Sequence, residues 1–296
     1  MMAVPPPTSK DLFLRTFVSA VAVVLGVLLS ALAVPAIWLD RNVVQEDGFV
    51  ALAVPLGQDA EFQRRLAAAA VGTIDTGAIP DALAGLVRPV LEAAAGSLTG
   101  LPGYPAAWEE TLRKSHRLSF AGAAAVPAEP DSPSSLTLDV APLVVLATEE
   151  LARTTGLPLT APEQTLVNVG EPEQRQLVER VSAFAPLGDS LAIGAGISFA
   201  LALVSARRRW TVVFAAGLAA LVLAGLWSVG SQLARDAVVG TASGNGLSDM
   251  FKDAFVAAAS SSFQSWVGGA AITGGVLVAA ALVIRIASPG RRPPSR

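Results

Sequence analysis

The sequence predicts a mainly α membrane protein: a four-helix transmembrane bundle joined to a mostly helical extracytoplasmic domain with at most one short β pair. Three observations predict it. Hydrophobic residues make up 52% of the chain and charged residues only 15%, well below the usual quarter, so much of the chain needs a solvent other than water. Four apolar runs, residues 17–39, 186–206, 210–230 and 265–286, are long enough as helices to cross a hydrocarbon core of about 30 Å. The charge is also uneven, with 19 Asp and Glu against 10 Lys and Arg in residues 40–180 and 5 against 11 elsewhere.

Residues 1–16, with three consecutive prolines at 5–7, read as a disordered cytoplasmic tail. Residues 17–39 carry no charge, and at about 1.5 Å per residue they make a helix of adequate length. Their thirteen Leu, Ile, Val and Phe residues favour insertion by about 4 to 8 kcal/mol. Ala31, Leu32 and Ala33 have the form of a signal-cleavage site. The run is longer than a signal core and continues through Pro35, so it reads as a retained span with Trp38 at the interface.

Residues 40–185 suffice for one modest domain. Asp59 is placed to cap a helix through Phe62 and Leu66, and Pro80 with Asp81 opens another that Pro89 bends or divides. Residues 106–118 intersperse Trp108, Leu112 and Leu118 with Glu109, Glu110, Arg113, Lys114 and Arg117, which predicts an amphipathic helix with a solvated charged side. Residues 121–135, rich in Ala, Pro and Ser, read as an exposed loop. Residues 136–140 and 165–169 are short alternating or β-branched runs, expected to pair as strands around a helix over 142–154. Glu171, Pro172 and Glu173 then start a helix that leads towards the second span and is expected to couple the domain to it.

The second span must begin near Pro186 to be long enough, which puts Asp189 at the outer boundary or against a polar cavity. Arg207, Arg208 and Arg209 leave almost no loop, so spans two and three form a tight hairpin. Residues 231–264 are expected to be an outer loop, in which Leu247, Phe251 and Phe255 recur at helical spacing as an interfacial amphipathic helix. Residues 287–296 form a basic cytoplasmic tail. With the amino terminus inside, the inner segments hold nine Lys and Arg and the short outer loop holds two, Arg235 and Lys252. This bias places both termini in the cytoplasm of a multi-pass plasma-membrane protein and residues 40–185 outside.

Small residues recur at packing spacing, as Gly194, Ser198 and Ala202 in the second span and Gly268, Ala271, Gly275 and Ala279 in the fourth. They are expected to let helix backbones approach within the bundle; self-association between copies is the other use of such faces. Asp189 is expected to be the N-cap of its helix rather than an ion site. His116, with Trp108, Glu109 and Glu110 two turns earlier, could form an acid–base cluster, but a lone histidine on a charged helix reads first as solvated or locally bonded. One histidine and no cysteine argue against a metal or haem centre, and no hydrolase elbow, phosphate loop or zinc-protease motif occurs. The basic residues flank the apolar runs rather than forming a basic face, which excludes a nucleic-acid role.

Trp38, Val54 to Leu56, Asp59 and Gln63, Ala107 to Glu109 with His116, and Leu136 to Asp139 together resemble a family of uncharacterised actinobacterial four-span integral membrane proteins with a large domain between spans one and two. The resemblance implies a mostly helical outer domain and names no catalytic residue or cofactor; Asp139 enters the candidate residues only through it. The expected role is non-enzymatic: binding, scaffolding or signal transmission in the cell envelope through the outer domain, with a protein or wall component as partner. A permease-like subunit driven by an ATPase is the alternative that the topology allows.

Overall fold

A computed structural model describes residues 9–72, 98–120, 137–155, 161, 163–168, 174–240 and 246–287. In chain order the elements are α1 (Ser9–Leu39), a π-helical turn (Asp40–Val44), α2 (Glu46–Ala53), α3 (Ala60–Gly72), α4 (Tyr104–Phe120), β1 (Thr137–Asp139), α5 (Ala141–Thr155), β2 (Leu166–Asn168), α6 (Gln174–Phe184), α7 (Gly188–Ser205), α8 (Arg209–Val239) and α9 (Gly246–Ala287). The class is mainly α, as predicted. Among the described residues, four helices are long and apolar enough to cross a membrane, which is consistent with a multi-pass membrane protein. The helix expected around Pro80 to Pro89, the loop expected at 121–135 and the basic tail lie outside the described residues. Residues 9–16, expected as tail, are already helical, because no glycine or proline follows Pro7 until Gly26.

The chain divides into two compact units, one of Met1–Trp38, Phe184–Leu233 and Ser261–Arg296, the other of Leu39–Ala183 and Ala234–Ser260. The second unit is built around a core of Phe49, Val50, Leu56, Phe62, Trp108, Leu112, Leu138 and Val140 with their neighbours. Asp59 starts α3 as expected: its Oδ1 accepts from the N–H groups of Glu61 at 3.0 Å and Phe62 at 2.7 Å, which turns Phe62 and Leu66 inward. The two short strands pair antiparallel, with Leu138 opposite Val167 and α5 between them in sequence. Asp139 Oδ1 accepts from Ala141 N at 3.0 Å and Thr165 N at 3.1 Å, so one carboxylate both opens α5 and fastens the chain entering β2.

The outer loop expected over residues 231–264 is largely helical: residues 231–239 prolong α8, and the helix expected around Leu247 to Phe255 runs unbroken into the last span as residues 246–287. At about 1.5 Å per residue the 42-residue α9 measures about 63 Å, twice the thickness of a hydrocarbon core. Its Phe251 is buried at 6.1 Å from the Phe62 ring, and Phe255 lies 5.2 Å from Phe49. The domain expected over residues 40–185 is therefore completed by residues 234–260. An aromatic stripe that satisfies a lipid interface satisfies a protein core equally well, because both are apolar.

In the first unit, α7 ends at Ser205 and α8 starts at Arg209, which is the tight turn that the three arginines predict. Ser19 of α1 donates to the carbonyl of Ala202 at 3.0 Å, and Ala22, Ala202 and Val212 are buried together. Trp38, expected in the membrane interface, is buried against protein: its ring meets Phe263 edge-on at 5.3 Å and its Nε1 donates to Ser262 Oγ at 3.2 Å. Packing thus takes both the apolar body and the polar handle of the indole. Ser228 Oγ donates to Gln264 Oε1 at 3.0 Å and Gln264 Nε2 to Ser231 Oγ at 2.9 Å, joining α8 to α9.

Pro35 sits inside α1 and has no N–H for the carbonyl of Ala31. Trp227 Nε1 of α8 donates to that oxygen at 3.2 Å, so a neighbouring helix supplies the missing bond. Trp227→Phe is expected to destabilise the bundle by about 1 kcal/mol. The loss should shrink in a Pro35→Ala background, where the backbone N–H returns, and a double-mutant unfolding cycle measures that coupling.

Candidate functional site

The sequence candidates of the second unit converge on α4. Its buried face carries Trp108 and Leu112, as the amphipathic spacing predicts, together with Thr111, Ser115 and His116, while Leu118 is half-buried. Trp108 is a core anchor: its Nε1 donates to the Val54 carbonyl at 3.2 Å and its ring meets Phe62 edge-on at 5.5 Å. Gly57 lies directly beneath it. A Cβ there would stand 2.3 Å from Trp108 Cδ1, so the indole seats only over glycine.

His116 is not solvated as expected but 5% exposed, stacked on Phe120 at 4.4 Å and tilted against Phe49 at 5.1 Å. The Val43 carbonyl, 3.1 Å from Nε2, can only accept, so the neutral ring carries its proton on Nε2. Burial pushes the imidazole below its ordinary value, against the pull of the Val43 carbonyl and the Glu46 charge. Trp108 and Glu109 do not join it in an acid–base cluster; one is held by Val54 and the other by Arg113.

With the folded pKa below 6.5, unfolding takes up a proton at acidic pH, so the stability that neutral His116 contributes is complete above about pH 6.5 and is lost as pH falls towards the folded value. Thermal unfolding of the second unit is expected to weaken between pH 7 and pH 5, and His116→Phe should remove that part of the slope.

The outer face of α4 holds an ionic cluster. Arg113 donates through Nη1 to Asp47 Oδ1 at 2.8 Å and Glu46 Oε1 at 3.2 Å, and through Nη2 to Glu109 Oε1 at 2.7 Å. Arg117 lies 3.4 Å from Glu46 and 3.3 Å from Glu110. The bonds from Asp47, Glu109 and Glu46 raise the Arg113 pKa above its ordinary value. These groups are solvent-screened, so the cluster aligns α2 with α4 more than it stabilises them.

Asp139 is a structural residue by its contacts. Besides its two carboxylate bonds, its backbone N–H donates to Ser115 Oγ at 2.9 Å, and Ser115 Oγ donates to the Thr111 carbonyl at 2.6 Å. Sequence reading passed over Ser115, which looks like an ordinary polar residue until α4 turns it inward. Among the described residues, no three His, Asp or Glu side chains converge to hold a metal.

In the first unit Asp189 is exposed and does not cap α7. The cap position is Leu187, in helical conformation and without a side-chain cap bond, because the 3-10 turn Ala185–Leu187 leads into α7. Its neighbour Gly188 matters instead: a Cβ there would stand 2.7 Å from Ile37. The second-span stripe packs as expected, with Ser198 and Ala202 buried and Gly194 facing Leu29. The fourth-span stripe does not pack within the chain as expected. Gly268 and Gly275 face open space, Ala279 is exposed and Ala271 half-buried.

Close approach occurs one residue away from that stripe. A Cβ on Gly217 would lie 2.8 Å from the Gly274 carbonyl, and one on Gly274 2.8 Å from the Gly217 carbonyl. Here α8 and α9 cross backbone to backbone. The adjacent Gly274 and Gly275 leave the register ambiguous in the sequence, and only the facing helix resolves it.

Between α1, α7, α8 and α9 the first unit holds a groove of about 400 Å³, walled by Val27, Phe199, Leu203, Val212, Ala216 and Trp227 among others. Its hydroxyl groups are turned to their own helices, Ser30 donating to Gly26 at 2.8 Å and Thr273 to Gly269 at 2.9 Å. The surface it presents is therefore apolar. No protein-family model, curated protein or solved structure matches this chain.

Proposed function

We propose that the chain is a multi-pass plasma-membrane protein of the cell envelope, with both termini cytoplasmic. Its second unit is an extracytoplasmic binding, scaffolding or signal-transmitting module rather than an enzyme, built on a mostly helical domain such as the actinobacterial resemblance implies. One observation carries this reading: the buried imidazole and the buried carboxylate of that unit are used to hold the fold, His116 by Val43 and Asp139 by Ala141, Thr165 and Ser115. What remains for function is the surface, where Glu46, Asp47, Glu109 and Glu110 outnumber Arg113 and Arg117. The partner class is an envelope protein or wall component, with no cofactor and no nucleic acid. The outward small residues Gly268, Gly275 and Ala279 support self-association as a second mode of contact.

The orientation is supported by the nine-to-two bias of positive charge. Because the chain has no cysteine, single substitutions report it cleanly. Glu163→Cys is expected to react with a membrane-impermeant maleimide in intact cells and Arg208→Cys only after lysis; the opposite pattern inverts the topology. Cross-linking of the full chain in native membranes tests the role. Capture of an envelope protein or wall fragment by the second unit supports it, and capture of a cytoplasmic ATPase replaces it with the permease-like alternative.

A further inference from the structure

We propose that the groove of the first unit is a binding site for one acyl chain of an anionic phospholipid, whose phosphate headgroup is met by the arginines at its end. The groove follows α8 from Val212 to Trp227, a length of about 22 Å at about 1.5 Å per residue, most of the way across a hydrocarbon core of about 30 Å. Its volume of about 400 Å³ accommodates roughly a dozen methylene-sized groups, taking about 30 Å³ for a small molecular unit such as water. With its hydroxyls bonded internally, the groove offers nothing to a polar ligand.

The charge lies at one end. Leu203 and Val212, which wall the groove, flank the turn that carries Arg207, Arg208 and Arg209, all three exposed. The Ser19–Ala202 bond brings Arg15, one turn earlier on α1, to this same end, and Arg285 stands over the Trp210 ring at 5.2 Å. No carboxylate among the described residues pairs with any of these five arginines. Guanidinium groups suit phosphate oxygens through paired N–H donors. A lipid tail gains little by leaving other tails for an equally apolar groove, so selectivity has to come from the headgroup. This combination distinguishes an anionic lipid from a zwitterionic one, and it rests on the four helices being membrane spans, not on the role proposed for the second unit.

The test is native mass spectrometry of the full chain released from bilayers holding equal amounts of phosphatidylglycerol and phosphatidylcholine. The expected result is one phosphatidylglycerol retained per chain, at least tenfold over phosphatidylcholine. Equal retention of the two, or no retained lipid, overturns the proposal without any variant. Filling the groove with Ala216→Leu and Ala219→Leu is expected to reduce retention about tenfold. Replacing all three turn arginines by glutamine should bring the preference close to one. A folded, groove-filled variant that keeps its lipid overturns the assignment of the site, and an unchanged preference in the glutamine variant overturns the part given to the arginines.

Discussion

Phe251→Ala is expected to cost the second unit about 3–5 kcal/mol, the range for truncating a buried phenylalanine in a packed core. The ring is 7% exposed and stands among Phe62 and Phe255 at 6.1 and 5.9 Å. A phenylalanine resting in a membrane interface would lose far less, because lipid flows into the space that the ring leaves. Hydrogen exchange of the α4 amides is the direct readout, since Trp108 and Leu112 share this core. Strong loss of protection in α4 confirms that residues 234–260 complete the unit. Unchanged protection returns Phe251 to the interface. Val239→Ala, at an exposed position of α8, serves as the matched control and is expected to stay within about 0.5 kcal/mol.

Gly217→Val is expected to cost the first unit about 3 kcal/mol, the upper end for overpacking in a tight interior. Even its Cβ would stand 2.8 Å from the Gly274 carbonyl and 2.8 Å from the Val278 nitrogen, and backbone atoms cannot rotate aside as a side chain does. The two helices have to separate. Gly275→Val, one residue from Gly274 and facing open space, is expected to change stability by no more than about 0.5 kcal/mol. Unfolding of the purified chain in mild detergent, followed by helical circular dichroism, checks both. A reversed ranking would mean that α8 meets the stripe of Gly268 and Gly275 instead.

Much of the architecture is legible from local pattern. The four long apolar helices, the turn at Arg207 to Arg209, the cap at Asp59 and the pairing of residues 137–139 with 166–168 all follow from composition and spacing within a few residues. A cap or a tight turn is satisfied by atoms close in sequence, so its signature is local. Asp189 is the exception among the caps. The preceding turn is already helical, and the sequence alone does not show that Ala185 to Leu187 continue rather than break the path.

The candidate residues of the second unit were legible as a cluster on α4 and illegible in their roles. The spacing of Trp108 and Leu112 puts them on one face of a helix, and they are found there; His116, read with the solvated side, joins them. That His116 faces Val43 and Phe49, and that Asp139 binds Ser115, depends on segments 24 to 73 residues away in sequence.

Sequence by itself determined that this is a mainly helical chain with four membrane-length apolar helices and a tight turn between α7 and α8. Tertiary structure decided that the first third of α9 belongs to the second unit, that Trp38 is buried, and that Gly217 meets Gly274 while Gly268 and Gly275 face outward. The physical reason is common to all three. Hydrophobicity specifies that a surface must leave water, whereas lipid, a neighbouring helix and an aromatic core all meet that demand, and only the partner's shape selects among them.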